Sequence, residues 1–186
     1  EILHEAATGC VIRARLGDDH YVVAKLSAPA LLAPYANRLI AVHPQMAQGR
    51  NRVPEPLFYD AEQGLILMED TWGQRADALF LKGDAAAERV LQAAGAWIAR
   101  FHATSQTQAA FNPDPHLNWI GKAITAHKSG ARLIPDCDGL RALLPELEAR
   151  AETARGAMVL RSITHRDFHL GNLLIRKQGR TYGIDF

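Results

Sequence analysis

The chain has 186 residues, 48% of them hydrophobic and 22% charged, a balance that excludes disordered and collagen-like classes and fits little more than one average folded domain. Lys and Arg number 21 against 20 Asp and Glu, and a net charge of +1 argues against recognition of nucleic acid or an anionic membrane by bulk charge. Binding is therefore expected at a local site. Cys10 and Cys137 lie far apart and outside any CxxC spacing, so neither a zinc knuckle nor a disulfide framework is expected, and a reducing cytoplasm is the natural location. No apolar run approaches the ~18 residues of a membrane span. The start EILHEAATGC carries no initiator Met and no signal-peptide core, and TYGIDF stops inside an expected strand. The sequence reads as a soluble fragment, with more chain expected after Phe186.

From Cys10 to Leu16, apolar Cys10, Ile12, Ala14 and Leu16 alternate with Val11, Arg13 and Arg15, the period of a half-buried strand. Both arginines are expected to be solvated. Gly17, Asp18 and Asp19 then turn the chain into a second strand, Tyr21 to Leu26, whose period places Lys25 on the face of Tyr21 and Val23. Leu31, Leu32, Tyr35, Leu39 and Val42 follow a helical period, with Pro34 expected in the first turn and Pro44 ending the helix. Leu57 to Asp60 and Leu65 to Met68 form a hairpin through AEQG. After Gly73 the composition shifts. Val90, Leu91, Ala94, Trp97, Ile98 and Phe101 mark one face of a helix starting near Asp84, Asn112 to Asp138 reads as a long loop with at most a short helix, and helical spacing resumes at Leu140 to Leu147 around Pro145.

The carboxyl-terminal run THRDFHLGNLLIRKQGRTYGIDF concentrates the chemistry. Leu173 to Arg176 and Thr181 to Phe186 are expected as two strands, and a pairing of Arg176 with Thr181 sets Asn172 directly opposite Asp185. Opposed residues share a face with Cα atoms about 4.5–5.5 Å apart, so an amide and a carboxylate there suit a hard Mg²⁺ ion that takes its other ligands from water and phosphate. Asp167 lies five residues before Asn172 in a loop loosened by Gly171, where a proton acceptor for a hydroxyl belongs. In phosphoryl transfer the protein mostly positions reactants and neutralises charge, and Lys25 is placed to reach the phosphates.

HRDFHLGN followed by IDF resembles the catalytic segment of the aminoglycoside phosphotransferase and choline kinase family, relatives of protein kinases, and His169 brings it nearer to that branch than to protein kinases. YVVAK resembles the lysine strand, LILMED the hinge strand and AAGAWIARFHA the long helix before the catalytic core. The resemblance implies a two-lobed, protein-kinase-like α+β fold, with an antiparallel-sheet amino lobe at 1–70, a hinge near 68–73, and a mainly helical lobe at 71–186 that is incomplete at its carboxyl end. It implies Mg²⁺ and ATP, with Asp167 as catalytic base, Asn172 and Asp185 as metal ligands, Lys25 on the α and β phosphates, and the backbone of Met68, Glu69 and Asp70 on adenine. The phosphate-covering loop falls at Ala7 to Cys10 and holds only Gly9. No acidic residue lies between Lys25 and Val53, and Asn37 stands near the place of the helix glutamate that orients the lysine in this family.

The expected function is therefore transfer of the γ-phosphate of ATP to a hydroxyl of a small molecule such as an aminoglycoside, amino sugar, sugar or choline-like alcohol, with no nucleic-acid or membrane partner. Two rivals are a kinase-shaped nucleotide-binding or regulatory module without catalysis, and a protein kinase. His165, Asp167 and His169 also form an HxDxH pattern open to zinc, though no further ligands stand at metal spacing. His165 otherwise reads as a brace for the catalytic loop, and Cys10 as a small buried hydrophobe.

Overall fold

The computed structural model describes residues 1–17 and 20–185. The turn expected at Asp18 and Asp19 and the strand end expected at Phe186 lie outside the described residues. Compact packing divides the chain into two units, residues 1–105 with 162–186, and residues 106–161. The expected lobe boundary near residue 70 falls inside the first unit.

The first unit begins with β1 (Ile2–Ala6), β2 (Gly9–Leu16) and β3 (His20–Ser27), followed by α1 (Pro29–Met46), β4 (Asn51–Arg52), β5 (Pro56–Asp60) and β6 (Leu65–Glu69). These strands, apart from β4, form an antiparallel sheet in the order β1-β2-β3-β6-β5. Strand β1 is exposed along its whole length, so its residues carry no buried-versus-solvent alternation by which to find it in the sequence. Helix α1 buries Leu32, Ala36, Leu39, Val42 and Met46, a stripe three and four residues apart.

That stripe runs past both prolines. Pro44 does not end the helix as expected, and Pro34 lies beyond its first turn. Each proline frees the carbonyl four residues earlier, on Ala30 and Ile40, and both of those residues are exposed, so water can satisfy the freed groups while the apolar face stays packed.

The unit continues with β7 (Gln74–Arg75), α2 (Ala76–Phe80) and α3 (Asp84–Ala103), and closes with a 3₁₀ turn (Leu170–Asn172) before two short strands that, in chain order, are β10 (Leu173–Ile175) and β11 (Thr181–Gly183). A second sheet has the order β4-β11-β10-β7. Helix α3 turns Val90, Ala94, Trp97 and Phe101 into the core with the α1 stripe, Ile66, Met68 and Leu173. Gly183 is required where β11 crosses α3, because a Cβ there would meet the Trp97 ring at 2.0–2.6 Å.

The second unit holds β8 (Thr107–Ala110) paired with β9 (Met158–Arg161), and the helices α4 (Asp114–Lys128) and α5 (Cys137–Ala154). Helix α4 replaces the long loop expected there. Its partly or fully buried residues Leu117, Ile120, Ile124 and His127 do keep helical spacing, but interleaved His, Gly and Lys dilute the pattern. Asp136 caps α5 by accepting from the Gly139 amide at 2.9 Å, and Arg155 joins Asp114 to Glu152 by ion pairs.

Candidate active site

The hairpin at the carboxyl end departs from the expected register by one residue. Ile175 pairs with Thr181 and Leu173 with Gly183, while Arg176 N–H donates to the Arg180 carbonyl at 2.8 Å. The loop is thus the three residues Lys177 to Gly179, with Gly179 at φ +73° in the left-handed position such loops require. Asn172 consequently faces Ile184, whose N–H donates to its carbonyl at 2.9 Å, and is not directly opposed to Asp185. A one-residue slip exchanges faces. Asp185 escapes the ladder by adopting φ +61°, a conformation Asp tolerates better than most residues, and its carboxylate turns to the amino-terminal sheet.

There it meets Lys25. Lys25 Nζ donates to Asp185 Oδ1 across 160 positions of sequence, and the ammonium also lies 4.3 Å from the centre of the Tyr35 ring. Tyr35 is held in turn by its hydroxyl on Met68 Sδ at 3.0 Å, and burial, assisted by the charge of Asp185, pushes that hydroxyl well above its ordinary pKa. The helix residue facing the lysine is therefore the aromatic Tyr35. Asn37, two positions on, is exposed.

A cavity of about 400 Å³ opens at this pair, within the range of small-molecule sites. Lys25, Met68, Glu69 and Asp70 line it, with Val11 and Val23 from the sheet and Leu174 and Ile184 from the hairpin. Gly9, Lys25 and Asp185 line a smaller cavity of about 170 Å³. Gly9 permits the close approach of β2 to β3, since a Cβ would lie 2.3 Å from the Leu26 carbonyl oxygen. Met68 is buried, whereas the Glu69 amide donates to the Glu55 carbonyl at 2.8 Å and its carboxylate accepts from Tyr182 Oη at 3.3 Å. Asp70 is engaged by Arg13, whose Nε and Nη2 both lie 2.8 Å from Asp70 Oδ2 and whose guanidinium stacks 4.2 Å from Tyr21 and 4.0 Å from Trp72. The solvated reading of Arg13 is overturned. Two residues from Val11 on β2, Arg13 shares the face that Val11 turns to the cavity.

Asp167 and Asn172 line neither cavity, but they are joined to each other. Asn172 Nδ2 donates to the Asp167 carbonyl at 3.0 Å and to its Oδ2 at 3.3 Å, and His169 Nε2 stands 3.6 Å from the same carboxylate oxygen. His169 Nδ1 accepts from the Gly171 amide at 3.1 Å, which fixes the ring and leaves Nε2 to carry the proton. Gly171 leaves room for that ring, since a Cβ there would lie 2.8 Å from it and displace it. The preceding residue, Arg166, sits at φ +67°, a strained conformation for a long side chain.

Packing anchors this loop from below. Phe168 stacks 5.8 Å from Trp97, and His165 contacts Trp97 edge-on at 5.7 Å while its Nε2 meets the Ile184 carbonyl at 3.0 Å. Burial pulls the His165 pKa down, opposed by that carbonyl and by Asp167 and Asp185, so the ring braces the loop as a neutral group. Among the described residues no three His, Cys, Asp or Glu side chains are grouped to hold a metal, which removes the zinc reading of the HxDxH pattern. The donors at Asn172 and Asp185 are of another kind. With Asn172 Nδ2 spent on Asp167, its Oδ1 and the Asp185 carboxylate are hard oxygen donors of the type that suits magnesium, but only Asp185 lines the cavities.

Tyr35, Arg13, Thr71 and Arg75 belong to the site's surroundings without having been singled out in the sequence as such. Only Arg13 left a signal, its position in the strand alternation.

A small antiparallel sheet with one helix, a lysine on its third strand, and an Asp, Asn, Asp set on a loop and hairpin define the two-lobed protein-kinase-like α+β fold. The model of the phosphotransferase enzyme family matches residues 11–186, and the chain belongs to that family. No curated protein matches the chain. Among solved structures, the aminoglycoside phosphotransferase APH(4)-Ia is similar with a TM-score of 0.67 and 18% identity, over 100% of this chain and 64% of that one. A thermostable mutant of that enzyme in ternary complex with ADP and hygromycin B gives 0.69 and 19%, over 100% and 65%. Macrolide 2'-phosphotransferase MphH from Brachybacterium faecium gives 0.63 and 19%, over 100% and 64%. The chain thus spans a little under two thirds of the length of these structures.

Proposed function

We propose that this chain carries the nucleotide site and catalytic loop of an ATP-dependent phosphotransferase acting on a hydroxyl of a small molecule. The observation that carries the reading is the Lys25–Asp185 ion pair, which brings the two ends of the chain together at the cavity lined by Met68, Glu69 and Asp70. In this reading residues 1–70 cover the nucleotide and 71–186 supply the catalytic groups. The apolar walls, Val11 and Val23 against Leu174 and Ile184, suit a flat base, and the backbone of Met68 to Asp70 is its polar edge. The Asp70 carboxylate is already held by Arg13, so this residue serves through its main chain.

Lys25 exchanges part of its contact with Asp185 for phosphate oxygens, a charge-assisted contact, and Gly9 lets the covering loop lie close to them. Asn172 and Asp185 would hold magnesium, which when bound neutralises charge on the phosphates and the departing diphosphate. Asp167 accepts the proton of the acceptor hydroxyl as its oxygen bonds to the γ-phosphorus and the bond to the bridging oxygen of ADP breaks. Asn172 fixes the Asp167 backbone and side chain, and His169 limits the carboxylate's rotation. The similar structures named for aminoglycoside and macrolide phosphotransfer support a small-molecule hydroxyl acceptor, with amino sugars, sugars and choline-like alcohols as further candidates. Among the described residues no helix is long and apolar enough to cross a membrane.

The test is an ATP-consumption screen of the protein over aminoglycosides, macrolides, amino sugars and choline-like alcohols. Acceptor-dependent ADP release is expected. Nucleotide binding without transfer to any acceptor would leave the non-catalytic module as the better reading.

A further inference from the structure

We propose that the back of the β10–β11 hairpin carries a second binding site, for a small anion with an apolar body such as an aryl phosphate ester. Strand β10 stands between two cavities. Leu174 faces the nucleotide-side cavity, and the next residue, Ile175, lines one of about 520 Å³ on the opposite side, as successive residues of a strand must. Thr181, paired directly with Ile175, lines the same rear cavity.

The rear cavity has an apolar wall from Leu79, Val90 and Ile175 and a cationic rim from Arg50, Arg89 and Lys177. Those three charges come from three places in the chain: the residue before β4, the exposed face of α3 and the hairpin turn. No carboxylate lines the cavity, and none of the three makes an ion pair among the described residues. Arg176 is also in the lining, but its Nε donates to the Trp72 carbonyl at 2.8 Å and its guanidinium lies over Tyr182. In a chain with 21 basic and 20 acidic residues, three unpaired cations around one apolar hollow form a local field that an anion would neutralise. The arginine fork matches phosphate oxygens, and the apolar wall distinguishes a ligand carrying a ring from a bare ion. A concave site of this volume suits a small molecule better than an extended polyanion.

The inference is independent of the reaction proposed above, and its test is binding of naphthyl phosphate to the intact protein by calorimetry with saturating ATP present. Binding that persists under ATP, weakens as salt is raised, and falls at least about tenfold in Arg89→Glu/Lys177→Glu is expected. ATP affinity in that variant should stay within about twofold, because neither residue lines the nucleotide-side cavity. Two controls separate the parts of the ligand: neutral naphthol and inorganic phosphate should each bind at least about tenfold more weakly. The proposal is overturned if naphthyl phosphate fails to bind, is displaced by ATP, binds the variant equally well, or binds no better than either control.

Discussion

At the scale of single residues, Lys25 shows how far side-chain type and side-chain partner can diverge. Its strand and face follow from period-two alternation in YVVAK, but its neighbours Tyr35 and Asp185 come from 10 and 160 positions away, and no local pattern encodes them. Tyr35 reads in the sequence as one more apolar residue on the α1 stripe, whereas its ring supports the ammonium that a helix carboxylate would otherwise orient. A cation over a partly desolvated ring contributes about 0.5–2 kcal/mol, so Tyr35→Leu should weaken ATP binding by roughly 2- to 30-fold, while Tyr35→Phe stays near wild type. Equal losses in both variants would assign the effect to the hydroxyl on Met68. Gly183 is constrained by space: Gly183→Ala forces a methyl group into the Trp97 ring, and over-packing of about 1–3 kcal/mol should appear as a lowered melting temperature. An unchanged thermal midpoint would contradict that packing.

At the scale of elements, the strands and helices whose apolar residues keep a regular period were legible, and those without a clear period were missed. The β2–β3 and β5–β6 hairpins and α3 stand where alternation and helical spacing placed them. Strand β1 is exposed throughout, α4 mixes His and Gly into its buried face, and α1 passes two prolines because burial of its apolar stripe outweighs the lost hydrogen bonds. The hairpin register failed for a reason of turn chemistry. KQGR fits a four-residue loop as readily as the three-residue loop that Gly179 closes, and only the left-handed φ of Gly179 decides between them. Strand arithmetic set Asn172 opposite Asp185, and it does not reveal the left-handed turn that takes the Asp185 carboxylate out of the ladder. Gly179→Ala should therefore cost about 1 kcal/mol in denaturant unfolding, whereas Gln178→Ala in the same loop should be neutral. Equal effects would mean that Gly179 does not set the register.

At the scale of the whole molecule, similarity to phosphotransferases at 18–19% identity is carried by the fold, so individual roles have to be argued from this chain's own contacts. The Arg13–Asp70 pair, packed between Tyr21 and Trp72, ties β2 to the segment that leaves β6 and lines the nucleotide-side cavity. Arg13→Ala should raise KM for ATP by about 10-fold or more with kcat nearly unchanged, since a partly buried, charge-assisted contact is lost but no reacting atom is touched. A fall in kcat at constant KM would place Arg13 in the chemistry instead. The proposed reaction depends most directly on Asp167, the exposed carboxylate held by Asn172 and His169. Asp167→Asn preserves its shape and removes its charge, and the decisive measurement is phosphoryl transfer to the best acceptor, made with ATP affinity for both proteins. The expected result is a rate lower by roughly 100- to 10,000-fold, about 3 to 5 kcal/mol of barrier, with ATP affinity changed by no more than a few-fold. Equal transfer rates in the two proteins would contradict Asp167 as the base.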